Sequence, residues 1–206
     1  DNSVTQCSVN NGTLSNCEDS RATELDYSIG IALNPAGTYA FIANSDNRSV
    51  TQCSVNNGRL SNCANSGATG LYGSRGITLN PSGTYAFVAN GDNTITQCSV
   101  NNSTLSNCAN SGATGLNSPY GITLNPAGTY AFIANYFDNS VTQCSVNNGT
   151  LSNCANSGAT GLSYPRGITL NPAGTYAFIA NYGGNSVTQC SVNNGTLSNC
   201  AQTGFQ

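Results

Sequence analysis

An all-β array of four-stranded antiparallel blades, of β-propeller type, is the fold class predicted by this 206-residue sequence, and three observations predict it. A twelve-residue phrase, QCSVNNGTLSNC or a near copy, stands at 6–17, 52–63, 97–108, 143–154 and 189–200. Its first Cys falls at 7, 53, 98, 144 and 190, so the period is 45 or 46 residues, the length of one supersecondary unit in a repeat array. Between the phrases, short runs of apolar and β-branched residues alternate with Asn-, Gly- and Pro-rich turns, and no stretch has a helical period.

The second unit shows each element in order. Strand A is Gly76–Asn80, with alternating apolar positions. Pro81-Ser82-Gly83 turns the chain, since Pro presets φ and Gly accepts positive φ. Strand B is Thr84–Ala89, apolar on both faces, which suits a sheet covered on both sides by neighbouring sheets. Asn90-Gly91-Asp92-Asn93 is a second turn, strand C is Thr94–Val100, Asn101-Asn102-Ser103 turns again, and strand D is Thr104–Cys108. A Gly/Ser/Asn-rich linker leads to the next unit. Four such strands in about 45 residues form a propeller blade. The single repeat domain, 1–206, divides into a C–D hairpin at 1–20 without A and B strands, then units at 21–65, 66–110, 111–156 and 157–206. The chain begins inside a repeat, as expected of a processed form or a window from a longer protein. The surplus hairpin exposes an edge that invites pairing with another chain.

The segment GITLNPAGTYAFIAN, at 121–135 and again at 167–181, resembles the YVTN-type, lactonase-like propeller repeats, whose units read "P.GIA.NP.G..AYV.N". All four A–B segments carry the likeness. It implies the propeller fold, and a family that includes lactonase-type enzymes, binding proteins and surface proteins. Two departures stand out. A Cys pair occupies every C–D hairpin, and the units are too few for the family's usual seven-bladed ring.

Composition excludes several functions. Only 6% of residues are charged, Lys, His, Met and Trp are absent, and the net charge is −3. Five scattered Arg cannot form the basic stripe of a nucleic-acid binder or a polybasic membrane patch. No apolar run approaches the roughly 20 residues of a membrane-spanning helix. Without His there is no Ser-His-Asp set. No catalytic residue, metal ligand or cofactor is assigned, so the chain is expected not to be an enzyme.

Ten Cys with no His indicate disulfides formed in an oxidising, extracellular or cell-surface setting. The local pairing is Cys7–Cys17, Cys53–Cys63, Cys98–Cys108, Cys144–Cys154 and Cys190–Cys200; the alternative joins successive units, as in Cys17 with Cys53. Register bears on the choice. With Asn57-Gly58 as a two-residue turn, Cys53 falls opposite Asn62, so the local pairing demands an extra residue or β-bulge. Asn11, Asn47, Asn102, Asn148 and Asn194 head N-glycosylation sequons; Asn-Gly is also a common hairpin turn.

Acidic residues cluster at Glu18, Asp19, Glu24 and Asp26, which reads as the polar cap of a terminal repeat. Asp46, Asp92 and Asp138 sit in B–C turns, where turn chemistry explains them and calcium is the alternative. Contact residues are expected at Tyr72, Arg75, Tyr120, Tyr164 and Arg166 in D–A linkers, and at Tyr136, Phe137 and Tyr182 in B–C turns. The function expected is a non-enzymatic, extracellular structural or adhesive glycoprotein that self-associates head to tail into a filament or surface assembly. The alternative is a multivalent, lectin-like glycan-binding propeller.

Overall fold

A computed structural model describes residues 2–203. The N-terminal hairpin pairs β1 (Thr5–Asn10) with β2 (Thr13–Asp19). Four four-stranded antiparallel sheets follow. Blade I holds β3 (Ser28–Leu33), β4 (Tyr39–Asn44), β5 (Ser49–Asn56) and β6 (Arg59–Asn65). Blade II holds β7 (Ile77–Leu79), β8 (Tyr85–Ala89), β9 (Ile95–Asn101) and β10 (Thr104–Asn110). Blade III holds β11 (Pro119–Leu124), β12 (Tyr130–Asn135), β13 (Ser140–Asn147) and β14 (Thr150–Asn156). Blade IV holds β15 (Pro165–Leu170), β16 (Tyr176–Asn181), β17 (Ser186–Asn193) and β18 (Thr196–Thr203). The chain is a propeller array of four blades with an extra hairpin before them. One detail differs from the sequence reading. The Asn that ends each YAFIAN run closes strand B in three blades and is buried in all four.

Local chemistry explains each turn. In the A–B turn of blade II, Asn80 Oδ1 accepts from the backbone N–H of Thr84 (2.8 Å) and Tyr85 (2.9 Å). Gly83 supplies φ +70°. In the C–D turn of blade I, Asn57 and Gly58 both have positive φ, the requirement of a type I′ turn. The expected irregularity lies beside the cysteines. Ser54 stands opposite Ser61, but Gln52 stands opposite Ala64, and Asn62 at φ +50° sits in the slip. All five hairpins slip at the corresponding place. This bulge brings the two Cys of each hairpin to a Cα separation of 4.1 Å, and each is joined to its own partner: Cys7–Cys17, Cys53–Cys63, Cys98–Cys108, Cys144–Cys154 and Cys190–Cys200.

The blades stack face to face. Phe41, Ala43 and Val50 of blade I pack against Ile77, Ala86, Val88 and Leu105 of blade II. Equivalent clusters join II to III and III to IV. Strand B is therefore apolar on both faces because each sheet is sandwiched. Inner strands β3, β7, β11 and β15 touch in series and line a cavity of about 410 Å³. Their first glycines permit the approach. A Cβ on Gly76 would fall on the Tyr120 carbonyl oxygen, and Gly30 and Gly121 face Arg75 and Arg166 in the same way.

The N-terminal hairpin takes the outer half of a fifth blade position. Val4 packs with Ala40, Ile42, Cys53 and Leu60. Leu60 N–H donates to Ser20 O, as Leu105 does to Ser66 O at the next junction. Arg59 pairs with Glu18 at 2.9 Å; in the other units these positions are Thr and Ala. Among the described residues, both ends of the stack are uncovered. Leu14 is 63% exposed, while its counterparts Leu60, Leu105, Leu151 and Leu197 are at most 6%. Ile31 and Leu33 of β3 are exposed where inner strands beside β1 would pack. At the far end, Phe178, Ala180 and Val187 border an open apolar patch, whereas Phe41, Phe87 and Phe132 are wholly buried.

Candidate functional site: a tyrosine–arginine cluster at one end of the blades

The repeats are nearly identical, and most of their differences fall in two places. B–C turns read Ser45-Asp46-Asn47-Arg48, Gly91-Asp92-Asn93, Tyr136-Phe137-Asp138-Asn139 and Tyr182-Gly183-Gly184-Asn185. The ends of the D–A linkers read Tyr72-Gly73-Ser74-Arg75, Asn117-Ser118-Pro119-Tyr120 and Ser163-Tyr164-Pro165-Arg166. With antiparallel strands, B–C turns and D–A linkers lie at one end of the blades, and A–B and C–D turns at the other. Variation between copies is thus concentrated on a single end.

A buried amide holds the two loops together. Asn135 Nδ2 donates to Ser140 Oγ (3.1 Å) and Thr142 Oγ1 (2.8 Å), and its Oδ1 accepts from Asn117 N–H (3.2 Å). Thr142 Oγ1 then donates to Gly115 O at 2.7 Å. Asn44, Asn90 and Asn181 repeat the arrangement. A second set of bonds crosses between blades. Asn93 Oδ1 accepts from Ser118 N–H and Asn139 Oδ1 from Tyr164 N–H, each at 2.6 Å. In blade I this position is Arg48, which stacks on the Tyr72 ring at 4.1 Å.

On this frame the side chains of blades II to IV converge. Tyr136 is central, with ring centroids 5.6 Å from Tyr120, 5.2 Å from Phe137, 5.1 Å from Tyr164 and 6.2 Å from Tyr182. The Arg166 guanidinium lies over Tyr182 at 3.8 Å, and also near Tyr120 (4.9 Å) and Tyr136 (5.3 Å). Arg75 lies over the Tyr120 ring at 4.4 Å, while its Nη1 donates to Ser118 Oγ and Pro119 O. Tyr120 and Arg166 also line the central cavity.

Of the eight residues expected at contacts, seven come together: Arg75, Tyr120, Tyr136, Phe137, Tyr164, Arg166 and Tyr182. Tyr72 stands apart with Arg48. Tyr120 and Arg166 belong to strands β11 and β15 rather than to the linkers assigned from sequence. Arg48 and the buried Asn series were missed as framework. The signal for the Asn series was its recurrence at the end of every YAF[IV]AN run.

The acidic residues stay dispersed. Asp92 accepts from Thr94 Oγ1 at 2.6 Å, and Asp138 accepts from Asn117 Nδ2. Asp46 sits one position earlier in its turn than those two. Asp19 Oδ1 accepts from Arg21 N–H. Among the described residues, no group of three metal-ligating side chains forms. All five sequon Asn are exposed; Asn11, Asn102, Asn148 and Asn194 lie at C–D turns, away from the cluster, and Asn47 lies in a B–C turn.

A stack of four-stranded, axially arranged blades defines a β-propeller, and comparison with known proteins sharpens the class. The family model described as lactonase, 7-bladed beta-propeller matches residues 30–204, and the chain belongs to that family. Among solved structures, a chain of a nidogen/laminin complex is similar at TM-score 0.78 and 16% identity, covering 92% of this chain and 71% of that one. A putative 6-phosphogluconolactonase from Bacteroides uniformis is similar at TM-score 0.66 and 21% identity, covering 98% of this chain and 63% of that one. Hydrazine synthase of Kuenenia stuttgartiensis is similar at TM-score 0.67 and 18% identity, covering 88% and 50%. The chain thus spans between half and about 70% of these structures, and the likeness is one of fold. The search of curated proteins finds no match.

Five disulfides place the folded chain in an oxidising environment. No described helix is long and apolar enough to cross a membrane.

Proposed function

We propose that this chain is a non-enzymatic, extracellular, disulfide-stapled structural repeat protein whose copies associate head to tail. One observation carries the reading: its two open end faces are the two halves of an interface that the chain already uses three times. Inside the chain, the Phe face of one blade packs on the Leu face of the next. Phe178 and Val187 at one end, and Leu14 at the other, are the unmatched members of that series. The backbone is complementary as well. Leu14 N–H would meet Thr203 O as Leu151 N–H meets Ser111 O. Gly12 would cover Tyr176 as Gly149 covers Tyr85. Such a contact is heterologous, so it runs on as a filament or closes as a ring. Glycans on the exposed sequon Asn would keep the sparsely charged sides of the assembly soluble.

Mixed variants test it. Wild-type protein should show concentration-dependent oligomers by light scattering and rows by negative-stain microscopy. Leu14→Asp and Phe178→Asp should each be monomeric, because each buries a charge in an apolar contact. Mixed together they should form a dimer and nothing longer, since each retains one good face. Wild-type protein that stays monomeric at every concentration sinks the proposal.

Glycan binding is the second reading, supported by the aromatic cluster. That cluster sits where the blades differ, so it favours one composite site over several equal ones.

A further inference from the structure

We infer that the tyrosine–arginine cluster is a single binding site for an anionic saccharide, a uronate- or sulfate-bearing oligosaccharide. Two observations meet there. The first is placement: nearly identical repeats diverge at this end, and the divergent side chains of blades III and IV touch one another, with Arg75 of the linker into blade II on the Tyr120 ring. Tyr136 and Arg166 each reach rings from neighbouring blades, so no blade carries the site alone.

The second is unmatched charge. Arg166 is held among three Tyr rings, its Nε is buried without a hydrogen-bond partner, and it forms no ion pair with a described residue. Arg75 donates only to neutral oxygens. The one salt bridge among described residues is Arg59–Glu18, in the N-terminal hairpin junction. A guanidinium fixed by aromatic faces has its planar donor edge oriented in advance for a carboxylate or sulfate. Exposed Phe137, Tyr164 and Tyr182 beside it offer flat amphipathic surfaces on which the apolar face of a sugar ring can stack.

The backbone supplies a clean variant. Tyr164 has φ +48°, a left-handed conformation unfavourable for a bulky residue, and the equivalent residues of the other linkers share it: Tyr27 at φ +49°, Gly73 at +57° and Ser118 at +53°. Glycine is the relaxed choice at this position, so Tyr164→Gly removes the ring without straining the backbone.

The site is distinct from the end faces proposed for assembly, so its test does not depend on assembly. The probes are fluorescently labelled oligogalacturonate and a heparin-derived oligosaccharide, with neutral dextran oligomers and polyglutamate as controls, followed by fluorescence anisotropy. At least one anionic saccharide should bind, and the two arms separate carboxylate from sulfate recognition. Arg166→Gln should weaken that binding at least tenfold. Tyr164→Gly should weaken it several-fold while leaving the melting temperature unchanged or higher, an outcome a purely structural tyrosine would not give. The inference is overturned if neither saccharide binds, if polyglutamate or dextran binds as tightly, or if both variants bind like the wild type.

Discussion

Asn135 shows how one residue type serves two ends. Its amide is wholly buried and saturated by Ser140, Thr142 and the Asn117 backbone, so it closes the sheet and carries the loop that bears the cluster. Asn135→Ala should cost about 3 kcal/mol in chemical denaturation, because several buried partners lose their bonds together. Glycines at the axis give a second residue-scale test with an internal control. Gly76→Ala should destabilise by about 2–3 kcal/mol, since its Cβ meets the Tyr120 carbonyl rather than a yielding side chain. Gly167→Ala should be close to neutral, as only Ala180 lies within 4 Å of a Cβ there.

Among the elements, the C–D hairpin is the most self-contained. Its type I′ turn, its bulge at Asn62 and its disulfide all act within about a dozen residues. Replacing Cys98 and Cys108 together by Ser should lower stability by about 2–3 kcal/mol, the loop entropy released by opening a ten-residue loop. The N-terminal hairpin is the weakest element, being two strands docked on one face only. Its link to blade I includes the Arg59–Glu18 pair, about half exposed and worth at most ~1 kcal/mol. Amides of residues 5–19 should therefore exchange with deuterium faster than those of the homologous hairpin 143–156, despite near-identical sequence. Equal protection would mean that this hairpin has a partner in solution.

On the scale of the whole molecule, the stack is a one-dimensional array whose core clusters join neighbouring blades, I to II, II to III and III to IV. The ends are therefore equivalent in chemistry to the interior but lack its cover. This links the exposed Leu14 and the open Phe178 face to assembly, and it is why mixed Leu14→Asp and Phe178→Asp protein should stop at a dimer. It also explains why the functional candidate lies elsewhere. Repeated positions are committed to packing, and only the non-repeating loops are free to diverge.

Much of this was legible along the chain. Period, alternation and turn residues specify four strands per unit, because those choices are local: Asn-Gly takes positive φ wherever it stands, and Asn80 binds a backbone only four and five residues ahead. Even the bulge followed from counting residues between Cys53 and Cys63. The contact residues were legible as types, Tyr and Arg at loop ends, but not as a cluster. Tyr120, Tyr136, Arg166 and Tyr182 are separated by up to sixty-two positions and come from two blades. The sequence by itself determined the blade, its staples and its turns, since these are interactions within about fifteen residues. Only the tertiary structure decided which faces remain bare and which tyrosines surround Arg166, because both depend on how one blade is set against the next.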